Sequence, residues 1–463
     1  MSARELKLNG NALTAYNLLK EYAGKFKGID WTDRLFRRNP LYYGKARRLF
    51  RRLQAASLEE RKAWTEERLR LMCRKAGETS YGRSLNAGEN IADWPLMSNT
   101  DIRKDPFAFL RVPPYLTAPA NTSGTSGMPL KLFRSFQSIA VEQMCIDELV
   151  LASGCDLRKA RIASLKGDNI KSPSDMRPPF WKTSKGGQRL LLSSNHLSEE
   201  TFEYYCDILE EFKPDCMFVY PTSIETLGKF MLKHGRKIHI PLIVASSEVL
   251  TARARRITEE AFGGKVIEYY GQSERVAFAY SNARNEFYFL PGYACIELIP
   301  VAKELDSDLY EIVGTPLWNT AMPIVRYRTG DLIRVPAGTD EEALERIRYG
   351  VDPFPEIVGR TDDWYLDSPD GVRLMGIPHI ARDTEHVHQM QILQESLQYV
   401  RFLIIPSPEF NEADEQRILY NASLKLPQSM RISIERVERP IRTRQGKTPF
   451  VIRRWEFNEA IDM

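Results

Sequence analysis

Between residues 150 and 300, short apolar runs alternate with longer amphipathic stretches. "ARIASL" (160–165), "CMFVYP" (216–221), "PLIVASSEVL" (241–250) and "KVIEYYGQSE" (265–274) have strand length and break into polar or turn residues. "SEETFEYYCDILEEF" (198–212) and "SIETLGKFMLKHG" (223–235) place apolar residues at helical spacing. The first is expected to open at Ser198, with acids in its first turn. Strand–helix–strand alternation predicts a parallel sheet in an α/β layered domain, with ligands gathering at the carboxyl ends of its strands. Those ends carry Tyr220, Ser246–Glu248 and Tyr270–Glu274.

Residues 41–75 read as helix, with Ser57 and Glu60 forming a capping box and Leu58, Leu69, Leu71 and Met72 in part of a buried stripe. After residue 300 the pattern turns to β structure, with "LYEIVGTPL" and "MPIVRYRTGDLIRV" as strands. A last segment holds the strands "YVRFLIIP" and "RISIERV" and the helix "EADEQRILYNASLKL". The expected fold is α/β: a large multi-layer N-terminal α/β domain over 1–361 and a small mobile α+β domain over 362–463. A chain of 463 residues is too long for one ordinary core, which agrees with that division.

Composition narrows the class. Hydrophobic residues at 43% and charged residues at 27% are ordinary for a globular chain, and a net charge of +4 gives no reason to expect nucleic acid. The basic character of 41–75 reads as a solvated outer face. Six scattered cysteines without a C-x-x-C pair, and a start without an apolar signal segment, predict a soluble cytoplasmic protein. The apolar runs are too short for a membrane span.

The candidate chemistry begins at "ANTSGTSGMPLKLF" (120–133), where glycines free the backbone and hydroxyls and amides can form an anion-binding nest. Four further motifs follow: "YYGQSE" (269–274), "RYRTGDL" (326–332), "VGRTDD" (358–363) and "RTRQGKTPF" (442–450). In this order and spacing the set resembles the adenylate-forming superfamily of acyl-CoA synthetases, adenylation domains and luciferases. Within it the chain looks most similar to the phenylacetate–CoA ligase branch and the CapK-like proteins.

That resemblance implies ATP-dependent activation of a small-molecule carboxylic acid as its acyl adenylate, with release of pyrophosphate and then acyl transfer. The first choice of acceptor is CoA, with an amine, a hydroxyl or a carrier-protein thiol as the alternative. A non-catalytic nucleotide-binding protein is a third reading. The implied cofactors are ATP, Mg²⁺ and CoA. Thr122, Ser123, Gly124, Thr125, Ser126 and Gly127 would wrap the β- and γ-phosphates. Tyr270 would pack on adenine, Gly271 and Gln272 would line the nucleotide pocket, and Ser273 would reach the phosphate and the acid carboxylate. Glu274 would bind Mg²⁺, Asp331 the ribose hydroxyls, and Arg360 the ribose or phosphate. Lys447 would bridge the acid carboxylate and the α-phosphate, and Asp362 matches the hinge.

Three departures accompany the resemblance. Pro129 is followed by Leu130, so Lys131 falls one place late. "RVAFAYSNARNEFYF" (275–289) contains neither cysteine nor histidine, so no zinc is expected. "WYLDSPDGVRLMG" (364–376) carries its glycines late, which bears on the acceptor. His379, His386 and His388 read as surface or packing residues. The turn-rich segment 166–187, with Phe180 and Trp181, reads either as a cover over the acyl pocket or as a surface excursion.

Overall fold

A computed structural model describes residues 36–455 apart from 122–129, 167, 169, 173–174, 361–365, 370–372, 375–376, 382–383, 385 and 443–447. The chain enters through two helices, α1 (Pro40–Ala55) and α2 (Leu58–Gly77), where the sequence reads as one. They are separated at Ala56–Ser57, and the expected capping box opens α2: Ser57 Oγ accepts from the Glu60 amide, and the Glu60 carboxylate accepts from the Ser57 amide. Leu69 and Met72 are buried, whereas Leu58 and Leu71 are half-buried. Two short helices, α3 (Ser80–Leu85) and α4 (Asn99–Lys104), lead to a hairpin of β1 (Ala118–Asn121) and β2 (Lys131–Arg134). Helix α5 (Phe136–Ala152) follows.

The basic face of α1 and α2 is not wholly solvated. Arg47 and Arg51 both hold Glu148 of α5 at 2.7 Å. Arg61 is buried and donates to the carbonyls of Gln54, Ala56, Tyr349 and Gly350. Guanidinium groups are rich in donors, so they satisfy carbonyls at chain crossings that no backbone amide reaches.

The central layer is an eight-stranded sheet. Along the chain its strands are β3 (Ile162–Lys166), β4 (Trp181–Ser184), β5 (Arg189–Ser193), β6 (Cys216–Val219), β7 (Leu242–Ser246), β8 (Lys265–Gly271), β9 (Phe278–Ser281) and β10 (Phe287–Phe289). Their order in space is β10-β9-β8-β7-β6-β3-β5-β4, with β8, β7, β6, β3 and β5 mutually parallel. Helices α6 (Phe202–Phe212), α7 (Pro221–Lys233) and α8 (Ala252–Phe262) bury one face against Ala163, Leu165, Met217, Val219, Ile243 and Ala245. The opposite face, with Ile162, Cys216, Val244 and Ile267, packs on Val150 of α5. Covering both faces is what a parallel sheet requires.

Two sequence expectations move. Helix α6 starts at Phe202, because Thr201 Oγ1 donates to the His196 carbonyl and the Ser198–Thr201 stretch forms a turn instead of the first helical turn. Within 166–187, residues 181–184 form the edge strand β4, and Phe180 is fully buried against His196 and Tyr205. That part is core and sheet edge, neither cover nor excursion.

A four-stranded antiparallel sheet follows, β11 (Ala294–Lys303), β12 (Ser307–Pro316), β13 (Tyr327–Pro336) and β14 (Glu356–Arg360), with α9 (Glu341–Arg348) between the last two. The strand expected from Met322 begins only at Tyr327, because Arg326 sits at φ 53°. Its backbone amide donates to Thr315 Oγ1 and its guanidinium to Glu297 and the Trp94 carbonyl, which hold the left-handed geometry. Gly314 of β12 faces Val276 so closely that a Cβ would stand 2.0 Å from the Val276 carbonyl oxygen.

The C-terminal residues contain the small pair β15 (Leu366–Asp367) and β16 (Arg373–Leu374), then β17 (Val387–Ser396), β18 (Tyr399–Pro406), α10 (Glu412–Ser423), β19 (Arg431–Arg436) and β20 (Val451–Arg453). The last four strands form one sheet in the order β19-β18-β17-β20. Its core gathers Ile392, Val400, Phe402, Ile404 and Ile418. Among the described residues, no helix is long and apolar enough to cross a membrane.

Candidate nucleotide and acid site at the strand ends

β8 ends in Tyr270 and Gly271, and the chain then turns through Gln272–Arg275 before returning as β9. The turn is tight: the Arg275 amide donates to the Gln272 carbonyl at 3.1 Å, and Arg275 takes φ 60°. Gln272 folds back over it, accepting from the Ala277 amide and donating to the Tyr270 hydroxyl.

Tyr270 and Asp331 meet although they come from different sheets. The Tyr270 hydroxyl donates to Asp331 Oδ2 at 2.5 Å, and Asp331 is buried at 7% exposure. Asp331 stands where it does because Gly330 takes φ 74° and the Asp331 amide donates to Thr329 Oγ1. Thr329 is in turn tied to the Ile312 carbonyl of β12. Burial, reinforced by the Asp331 carboxylate, pushes the Tyr270 phenol well above its ordinary value, so it stays a donor. The β13–β14 register sets Arg360 directly opposite Asp331.

Glu274 is buried, and its Oε1 accepts from the Tyr327 hydroxyl at 2.8 Å. The Ser273 carbonyl accepts from Arg134 Nη2 at 2.7 Å, which ties the turn to the end of the β1–β2 hairpin. Burial, then the neighbouring Arg275, lowers the Arg134 guanidinium to about 10. Arg275 approaches Glu142 of α5 at 3.9 Å, and Tyr293 donates its hydroxyl to the same carboxylate. Sequence reading missed Arg134, Glu142, Arg275, Tyr293 and Tyr327, because their partners lie far away along the chain.

Thr122, Ser123, Gly124, Thr125, Ser126 and Gly127 lie outside the described residues, as do Asp362 and Lys447. Their anchors are described. The β1–β2 pairing brings Asn121 opposite Lys131, so the chain on either side of the Ser/Thr/Gly loop is held together. Lys131 extends over the rings of Phe107 and Phe133. Gln391 of β17, buried at 2% exposure, donates to the carbonyls of Ile441 and Pro449 and accepts from the Ile441 amide. One amide side chain thus closes both ends of the segment containing Lys447.

The residues present fit a polyanionic nucleotide. Arg134 Nε is buried without a hydrogen-bond partner among the described residues. Such atoms are costly unless an oxygen acceptor reaches them, and phosphate and carboxylate oxygens suit guanidinium donors. Glu274 supplies a hard oxygen suited to Mg²⁺. Of the three histidines, His386 pairs with Asp414 at the start of α10 at 2.8 Å, and the His388 carbonyl accepts from Lys229.

Residues 367–454 match the family described as the CapK C-terminal domain. The chain is 23% identical to the Staphylococcus aureus protein CapK over 371 residues, covering 78% of this chain and 80% of that one. It is 25% identical to the Pseudomonas putida phenylacetate–coenzyme A ligase over 357 residues, with coverage of 70% and 76%. The fold resembles that of a 2-hydroxyisobutyryl-CoA ligase solved in its postadenylation state with 2-HIB-AMP, at a TM-score of 0.58 and 17% identity, covering 85% and 90%. Likeness to the CapK and phenylacetate–CoA ligase side of the adenylate-forming proteins therefore extends along most of the chain.

Proposed function

We propose that this protein is an adenylate-forming ligase. It activates a carboxylic acid with ATP as the acyl adenylate, expels pyrophosphate, and passes the acyl group to CoA. The observation that carries the reading is the 2.5 Å contact between Tyr270 and Asp331, which joins two motifs from separate sheets at one buried corner. The relatives named phenylacetate–coenzyme A ligase support the choice of reaction class.

A carboxylate is a poor electrophile, and attack on the α-phosphorus is governed by positioning and charge neutralisation. Thr122–Gly127 would enclose the phosphates, Tyr270 with Gly271 and Gln272 would hold the adenine, and Asp331 would accept from the ribose hydroxyls. Arg360, paired in register with Asp331, would stand at the ribose or phosphate. Ser273 would contact phosphate and acid. Glu274 would hold Mg²⁺, which neutralises charge building on the departing pyrophosphate. Lys447 would bridge the acid carboxylate and the α-phosphate in the first half-reaction. Residues 1–361 would form the larger domain and 362–463 the smaller, mobile one, in a cytoplasm that keeps the six free cysteines reduced.

The test is product identification. Incubation with ATP, Mg²⁺ and a panel of acids, with CoA, amines and a carrier protein offered in parallel, should yield AMP, pyrophosphate and an acyl-CoA. AMP with an amide or ester, and no thioester, would refute the CoA step.

A further inference from the structure

Lys166 ends β3, the strand flanked by β6 and β5 in the parallel sheet. Side chains alternate along β3, so Ala163 and Leu165 pack towards α6–α8 while Ile162 and Lys166 face the α5 side. On that side the ammonium reaches across the strand ends and donates to Ser246 Oγ, at the end of β7, at 2.8 Å. It stands 5.6 Å from the ring centroid of Phe218 and 6.0 Å from those of Tyr220 and Tyr269. Tyr269 immediately precedes Tyr270 and stacks on Phe278, the β9 partner of Gly271.

An ammonium carries three donors, and Ser246 uses one. Among the described residues no carboxylate forms an ion pair with Lys166. Asp168 and Glu248 are close enough to act on it electrostatically, and each is engaged elsewhere: Asp168 Oδ2 accepts from Ser164 Oγ, and Glu248 Oε2 accepts from the amide and hydroxyl of Thr222. The corner therefore offers spare N–H donors beside two carboxylates. Arg442 also acts on Glu248, so Asp168 is the carboxylate that would repel a second anion on the ligand, and a purely apolar group would leave the donors unmet. A hydroxyl group suits both, since it accepts from the ammonium and donates to a carboxylate.

Resting on the ligase reading, we propose that Lys166 is a specificity-determining residue, and that the acid this enzyme activates carries a hydroxyl group bound by Lys166.

Acid-dependent pyrophosphate release tests this with matched series, phenylacetate against its ring-hydroxylated isomers and hexanoate against hydroxyhexanoates, plus adipate. At least one hydroxylated member should exceed its parent by about tenfold or more in kcat/KM, as polar recognition allows. Lys166→Met should bring that ratio to about one. Equal rates within every series, an unchanged ratio in Lys166→Met, or preference for adipate would overturn the proposal. Thermal denaturation with the same acids, without nucleotide, separates this from the ligase reading. Hydroxylated acids that stabilise wild type but not Lys166→Met, without pyrophosphate release, would leave the subsite standing and refute adenylation. If neither turnover nor stabilisation depends on Lys166, the subsite is refuted.

Discussion

Individual residues at the site have their state fixed by their hydrogen-bond partners. Tyr270→Phe removes the hydroxyl that donates to Asp331 Oδ2. Losing one hydrogen bond to a buried carboxylate costs about 1–3 kcal/mol, so the melting temperature should fall and the KM for ATP should rise. A variant matching wild type in both would contradict the assigned role. Lys166 gives a pH signature. Burial pushes its ammonium down to about 8, against a smaller upward pull from Asp168 and then Glu248. In the free enzyme the charge is lost above that pH, so preference in kcat/KM for a hydroxylated acid should decline between pH 7 and 9. The stability effect has the opposite sense. Between about 8 and the ordinary lysine value near 10.4, the unfolded chain binds more protons, so this group makes stability rise with pH. Lys166→Met should flatten both profiles, and profiles unchanged by the substitution would contradict the assignment.

At the element scale, the close approach of β12 to the turn after β8 holds the site together. Gly314→Ala would push a Cβ to 2.0 Å from the Val276 carbonyl, two residues past Glu274. Overpacking of this kind costs about 1–3 kcal/mol, and adenylation should suffer beyond what the stability loss explains. A fully active Gly314→Ala enzyme would show that the turn tolerates displacement. Four of the five parallel strands, β3, β6, β7 and β8, and helices α6 and α7 were legible from alternation alone, because burial on both sheet faces leaves apolar runs of strand length; β5 and α8 were not read from the sequence. The start of α6 was not, since the Thr201 hydroxyl competes with the helix for local hydrogen bonds. The buried role of Arg61 was equally hidden: its acceptors Tyr349 and Gly350 lie 288 and 289 residues away. Tyr270, Glu274 and Asp331 could be nominated from their motifs. Lys166 follows from the strand-end rule once β3 is extended by one residue beyond "ARIASL". The contacts made by Arg134 and Gln391 exist only after folding.

At the scale of the whole molecule, Gln391 of the C-terminal sheet holds Ile441 and Pro449, which bracket the segment containing Lys447. The candidate nucleotide corner of Tyr270 and Asp331 belongs to the strand ends of the central sheet and to β13. The central claim is that these parts combine to make an acyl adenylate. Acid-dependent exchange of labelled pyrophosphate into ATP reads that half-reaction alone, without any acceptor. Exchange is expected only when a suitable acid is present, and Lys447→Ala should lose about 10²–10³ in rate, comparable to removing one positioned electrostatic stabiliser. Exchange undiminished in Lys447→Ala, or hydrolysis of ATP to ADP and phosphate in its place, would contradict that claim.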